Sequence, residues 1–188
     1  MGGKQQKAMK KIVLVYGLIA GAIVGVMLMI TMPLYEKGSL NFESGELLGY
    51  TTMVVALSVI FFGIKSYRDN HRSGAITYWK GLQVGLLITL VGSLVYATVW
   101  EFMYQNMSTD YIEKMYAHYA ESQKASGATP EELAELKSQF EVYDQNFLLR
   151  FCITVFMEMF PVGVINSSVS AGLFAKKEFL PATSSYII

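Results

Sequence analysis

Cysteine occurs once in this chain, at Cys152, and histidine twice, at His71 and His118. A lone thiol excludes an intramolecular disulfide and leaves no pair of thiols for a metal. These residues stand far apart, so no zinc, haem or iron–sulfur spacing is present and no cofactor is expected. Net charge is also missing: 15 basic residues balance 15 acidic ones. That balance leaves no basic face for nucleic acid and no acidic tail. The glycines sit inside apolar runs rather than in a phosphate-cradling loop, so no nucleotide motif is present. An intramembrane protease would need paired aspartates, a serine with a histidine, or a histidine with a glutamate in the apolar core. Both histidines lie in the polar connections instead, and the chain is not read as an enzyme.

Charge is scarce between clusters, and what fills the gaps is long apolar sequence. Four runs stand out: 12–32, closed by Pro33, then 47–64, 81–103 and 148–175. Each is long enough at about 1.5 Å rise per residue to cross a hydrocarbon core of about 30 Å. The runs do not alternate and lack the turn signals of a membrane barrel. The fold class is therefore all-α: a single polytopic membrane domain with four transmembrane helices and the lipid bilayer as its surroundings. The first run, with its basic leader and Ala20-Gly21-Ala22, also has features of a signal peptide. It continues well past that site, whereas a signal core of about 7–15 residues stops before cleavage, which favours an uncleaved helix. Myristoylation at Gly2 is disfavoured by Gln6 where Ser or Thr is required.

Orientation follows from the distribution of cations. Lys4, Lys7, Lys10 and Lys11 precede the first run; Lys65, Arg68, Arg72 and Lys80 lie between the second and third; Lys176 and Lys177 follow the fourth. An even number of spans puts all three regions on one side, and the acidic residues fall mainly on the other. Both termini are expected in the cytoplasm. Tyr67, Tyr78 and Trp79 on one side, and Tyr35, Tyr50, Trp100 and Tyr104 on the other, suit the two headgroup layers.

The connection 104–147 is predicted to form an extracytoplasmic helical hairpin. Asp110 can cap its first helix, which carries Ile112, Met115, Tyr116 and Tyr119 on one face and ends at Ser126-Gly127. Thr129-Pro130-Glu131-Glu132 is a capping-box start for the second. Leu133, Leu136, Phe140, Tyr143 and Phe147 follow at helical spacing. The two stripes are expected to face each other or the bilayer; a flexible acidic loop and a partner-binding surface are the alternatives.

In lipid, helices associate through close backbone approach and hydrogen bonds rather than through the hydrophobic effect. Gly17, Gly21 and Gly25 stack on one face of the first span; Gly81 and Gly85 do so on the third, and Gly163, Ser167 and Ala171 on the fourth. These stripes serve packing within one subunit first, or between subunits.

Glu158 is the sharpest feature. It lies roughly 15 Å into the fourth span at helical rise, where a charged carboxylate costs at least about 2.5–3.5 kcal/mol. No Lys or Arg lies at comparable depth, so protonation, a partner from elsewhere or a hydrated cavity must remove that cost. Pro161 withholds a hydrogen bond from the Met157 carbonyl and predicts a kink or wet spot beside it. Asn166 and Ser170 make the inner half of the same helix polar and share a face, about 80° from Glu158 at 100° per residue. One reading is a proton or ion relay through Glu158, Asn166 and Ser170; the other is a protonated carboxyl bonded to a neighbouring span. Glu101 and Arg150, at the outer ends of spans three and four, are expected to form a salt bridge that clips the helix ends.

The segment Phe62-Gly63-Ile64-Lys65-Ser66-Tyr67-Arg68-Asp69-Asn70, then Gly74-Ala75-Ile76-Thr77-Tyr78-Trp79-Lys80-Gly81, and the ending Gly172-Leu173-Phe174-Ala175-Lys176-Lys177 resemble the DUF4199 family of small four-span membrane proteins. The resemblance runs from Ile12 to Lys177. It implies an inner-membrane location and this topology, and brings no activity and no functional residues. Lys65 and Arg68 are expected to snorkel from the second span, with Asp69-Asn70 stopping the helix; a lipid-phosphate or partner-binding loop is the alternative. The leading functional expectation is a noncatalytic scaffold or accessory subunit that meets a protein partner. The competing one is a small proton- or ion-coupled transporter using Glu158, as a homo-oligomer, because no inverted repeat is visible in one chain.

Overall fold

The structure, a computed structural model, describes residues 3–72, 74–106, 109–176 and 179–180. The expected cap at Asp110, the side chain of Lys4, and Lys177 fall outside what is described. Helices are the sole regular structure among the described residues: α1 (Gly3–Glu36), α2 (Phe42–Leu57), α3 (Val59–His71), α4 (Tyr78–Gln105), α5 (Thr109–Ala125), α6 (Pro130–Gln145), α7 (Phe147–Ile153), a π-helical turn (Thr154–Met159) and α8 (Phe160–Ala175). Four helical runs are long and apolar enough to cross a membrane: Gln5–Tyr35, Phe42–His71, Tyr78–Gln105 and Phe147–Ala175. The protein is a four-span bundle with a helical hairpin at one end.

The helices outrun the apolar stretches because polar and basic residues continue them into the interfaces. Pro33 lies inside α1 rather than closing it; it withholds a donor from the Met29 carbonyl one turn back, yet the helix runs on to Glu36 and Lys37 N reaches Pro33 O at 3.2 Å. The second span is interrupted at Ser58, between α2 and α3; its Oγ donates to Val54 O at 3.1 Å, back-bonding that loosens the helical ladder. Side-chain caps start α2, α4, α6 and α7. Asn41 accepts from Ser44 N at 2.8 Å, and Asn146 from Leu149 N at 3.0 Å.

The glycine stripe of α1 receives a valine stripe of α4. A methyl group on Gly17 or Gly21 would meet Cβ of Val91 or Val95 at 2.5 Å, and Gly25 faces Val99. The α4–α8 seam is built the same way, with Gly81 against Ala171, Gly85 against Ser167, and Gly163 against Thr89. All these contacts lie within one chain. Ile60, Ile64, Val84, Ile88, Met159 and Phe174 fill the bundle core behind them.

The hairpin has the capping box its sequence announces: Thr129 N donates to Glu132 Oε2 at 2.7 Å, and Glu132 N to Thr129 Oγ1 at 3.2 Å. Gly127 takes φ +89° at the turn, where a side chain would be strained. The two apolar stripes meet, with Phe140 5.6 Å from Tyr116 and 5.9 Å from Tyr119 between ring centres. Ile112, Met115 and Tyr143 turn toward the bundle and pack on Met32, Trp100 and Tyr104. The hairpin therefore lies on the end of the bundle and roofs the space between its helices.

At the opposite end Arg68 does not snorkel. It is 1% exposed, bonds Asp69 Oδ1 at 2.7 Å and the Phe179 carbonyl at 2.9 Å, and also reaches the Leu180 carbonyl. Its guanidinium lies 4.7 Å from the Phe174 ring centre. Returning chain after α8 supplies acceptors that local sequence could not reveal.

Candidate functional site

Beneath the hairpin, the helices enclose a cleft of ≈ 1070 Å³. Its walls come from α1, α2, α4 and α7, its roof from α5 and α6, and Glu158 lies at its inner end. The position of Glu158 depends on the π-helical turn. Pro161 carries no N–H for the Met157 carbonyl; just before it, the Phe160 N–H reaches back to Val155 O. A wider turn with i→i−5 bonding results, a distortion that recurs at functional sites. The Tyr96 hydroxyl on α4 donates to Glu158 Oε2 at 3.2 Å.

The roof is fastened at two corners. On one, Arg150 of α7 donates to Glu101 Oε1 at 3.0 Å and Oε2 at 2.9 Å, and to the Tyr143 and Asp144 carbonyls at 3.0 and 2.6 Å. The expected pair is present and does more than join two spans, because it also holds the end of α6. The Tyr104 ring lies 4.1 Å from the same guanidinium, and the Tyr104 hydroxyl donates to Asp144 Oδ1 at 2.6 Å. On the other corner, Tyr119 of α5 donates to Glu46 of α2, and Phe42 stacks on His118 with centres 5.2 Å apart. Burial, then the hydrogen bond and charge of Glu46, push the Tyr119 phenol above its ordinary ionisation range. Burial, followed by the charge of Glu158, pushes Tyr143 up to about 12.

The cleft is aromatic and acidic. Tyr35, Phe42, Tyr96, Trp100, Tyr119 and Tyr143 line it, with Met27, Leu28, Met53 and Ile153 supplying aliphatic surface. Glu46, Glu135 and Glu158 are its charged residues; no Lys, Arg or His is among the described residues that line it. Trp100 is 8% exposed, and its indole N–H is buried without an acceptor among the described residues.

Of the residues singled out from sequence, Glu158 lines this cleft, whereas Asn166 and Ser170 do not. Asn166 Nδ2 turns back to the Val162 carbonyl of its own helix at 3.1 Å, and Ser170 is buried further along α8. Tyr96 was missed, although a phenol two turns inside a span calls for a partner. Glu46 and Tyr119 belong to segments far apart in the chain and carried no signal.

Residues 15–177 match the family described as "Protein of unknown function (DUF4199)". No curated protein matches the chain, and no solved structure does.

Proposed function

Since the chain belongs to the DUF4199 family, whose function is unknown, we propose that it is a noncatalytic multi-pass membrane protein that binds a small solute beneath its hairpin and moves it in exchange for a proton on Glu158. The observation that carries this reading is the placement of Glu158 on a π-helical turn at the inner end of a cleft, with Tyr96 as its hydrogen-bond donor. An intramembrane acid facing a cavity is the usual setting of a proton relay. Tyr96 from α4, Tyr119 from α5, Tyr143 from α6 and Glu46 from α2 share the cleft with it.

The cleft stops at Glu158. Beyond it α4 is closed against α8 by Gly85 on Ser167 and against the π-helical turn by Gly92 on Met159. Passage requires this seam of small residues to open, and pairing of two copies supplies the second half of a carrier. A scaffold role through the basic loop has less support, because Arg68 is buried and both Lys65 and Arg68 are paired with Asp69. The hairpin is assigned to the extracytoplasmic face of the inner membrane, and both termini to the cytoplasm. The support is the cation cluster at the terminal end.

Proteoliposomes with a trapped pH-sensitive dye test the exchange. Solute gradients imposed on the wild type should drive proton movement, and Glu158→Gln should abolish it while leaving the protein monodisperse. Wild-type vesicles silent under every gradient, or a Gln variant altered in yield alone, would remove the basis for exchange.

A further inference from the structure

We infer that the occupant of the cleft is an amphipathic organic monocation: an ammonium head held at Glu158 and the surrounding aromatic rings, with its tail along α2 and α7. This rests on the reading of the cleft as a solute site and goes on to name the solute. Three carboxylates, Glu46, Glu135 and Glu158, line the space, and no Lys, Arg or His does so among the described residues. Glu46 and Glu135 are exposed at the margin of the cleft, whereas Glu158 is partly buried at its inner end. A carboxylate drawn away from water without a cation is costly, so a bound cation completes the inner end of the site. Tyr96 bonds Glu158, and Trp100, Tyr119 and Tyr143 line the space with it; aromatic rings around an alkylammonium are an established recognition chemistry.

The remaining walls decide between a small amine and an amphiphile. Met27, Leu28, Met53, Leu149 and Ile153 have nothing to offer a hydrated ion. At ≈ 1070 Å³ the cleft also exceeds what a compact amine fills and lies just above the range of ligand pockets, about 300–1,000 Å³. Tyr50, Val54 and Leu149 are exposed where α2 and α7 flank the cleft, which gives a tail a way in from the apolar phase. A phospholipid with an ammonium head is disfavoured by the same charge pattern. Its phosphate would lie among carboxylates with no cation to meet it. Hence the solute carries no negative group, and the one carboxylate at the inner end, Glu158, calls for one positive charge.

The experiment uses the full-length chain in a neutral maltoside. Trp79 is 76% exposed and outside the cleft, so Trp79→Phe leaves Trp100 as the single reporter. Its fluorescence is followed while decyltrimethylammonium, decanol, decyl sulfate or a short-chain phosphatidylethanolamine is added. Decyltrimethylammonium should give a saturable change at least about tenfold tighter than the other three, and Glu158→Gln should weaken it by a similar factor. Equal response to the neutral, anionic or zwitterionic tails overturns the inference, as does an unchanged affinity in a folded Glu158→Gln protein. If that variant is not recovered folded, the ranking of the four tails on the wild-type background decides alone. Selective ammonium binding without flux in vesicles would sink the exchange reading and leave this one standing. Flux without ammonium binding would do the reverse.

Discussion

Arg150 meets Glu101 through two parallel hydrogen bonds, Nε to Oε1 at 3.0 Å and Nη2 to Oε2 at 2.9 Å, with both side chains buried. The remaining guanidinium donor caps the carbonyls that end α6. One residue thus fixes span three, span four and the roof of the cleft together. Removing one member of a buried pair leaves the other uncompensated, at about 3–5 kcal/mol. Glu101→Gln and Arg150→Met should each lower the melting temperature sharply in detergent. Arg150→Lys should fail to rescue, since an ammonium cannot reproduce the two-pronged geometry. The double replacement Glu101→Leu/Arg150→Met should recover part of the loss; a double variant no better than either single one would show that the carbonyl caps matter more than the pair.

The α1–α4 seam makes a second prediction. A methyl on Gly21 would lie 2.5 Å from Val95 Cβ and 2.9 Å from the Gly92 carbonyl oxygen. Overpacking of this kind costs about 1–3 kcal/mol. Gly21→Ala should destabilise, and Val95→Ala should restore little in the double variant, because alanine keeps the Cβ that makes the closest contact and the Gly92 carbonyl stays in place. Gly25→Ala should be milder, because the nearest atom is Val99 Cγ2 at 3.1 Å. The measurement is unfolding in maltoside, together with molecular mass. A change of mass without a change of stability would place the glycine stripe between copies rather than within one.

A pH dependence follows from the hairpin tyrosines. The Tyr143 phenol is pushed up to about 12 by burial and then by the charge of Glu158; Tyr119 is raised by burial and by its bond to Glu46. An unfolded tyrosine ionises near about 10. The folded state therefore holds protons that the unfolded state has released, and stability declines above that point. The contribution is whole below about pH 10 and is lost as pH rises through the folded value. Absorbance titration should show late phenols, one of which disappears in Tyr143→Phe and another in Tyr119→Phe. Melting temperature should fall from pH 10 upward, less steeply in either variant. Ordinary titration of every tyrosine would mean that the roof does not shield them.

Much of this architecture was legible in the sequence because membrane helices are specified locally. Length without charge locates a span, and Thr129 to Glu132 spells out a capping box that the backbone forms. Arg150 with Glu101 could be paired from position alone, because both belong at the same end of adjacent spans. Glu158 was identifiable as an anomaly, but not its surroundings. Cleft residues such as Glu46 and Tyr119 are 73 positions apart, and nothing local to either announces the other. Arg68 reads as an interfacial anchor until the chain beyond α8 returns to supply its acceptors. Asn166 and Ser170 read as parts of a polar track, yet a helix can satisfy an amide on its own backbone, as Asn166 does with Val162.

Pro161 was expected to disturb the helix beside Glu158, and the disturbance takes the form of a turn with one residue more than an α-helix would use. Glu158 lies within this turn and lines the cleft, whereas Asn166, beyond Pro161 on α8, does not. Alanine at this position returns the N–H that the Met157 carbonyl lacks and removes the ring that opposes an α-helical path. Pro161→Ala should therefore leave thermal stability unchanged or higher, while the tightness of decyltrimethylammonium binding, read from Trp100 fluorescence, falls by about an order of magnitude. Stability and binding moving in opposite directions is the signature of strain held at a site. If both fall together, the proline is simply part of the packing. If neither moves, the wide turn is maintained by the buried Thr154, Val155 and Met159, and the proline is incidental to where the carboxyl points.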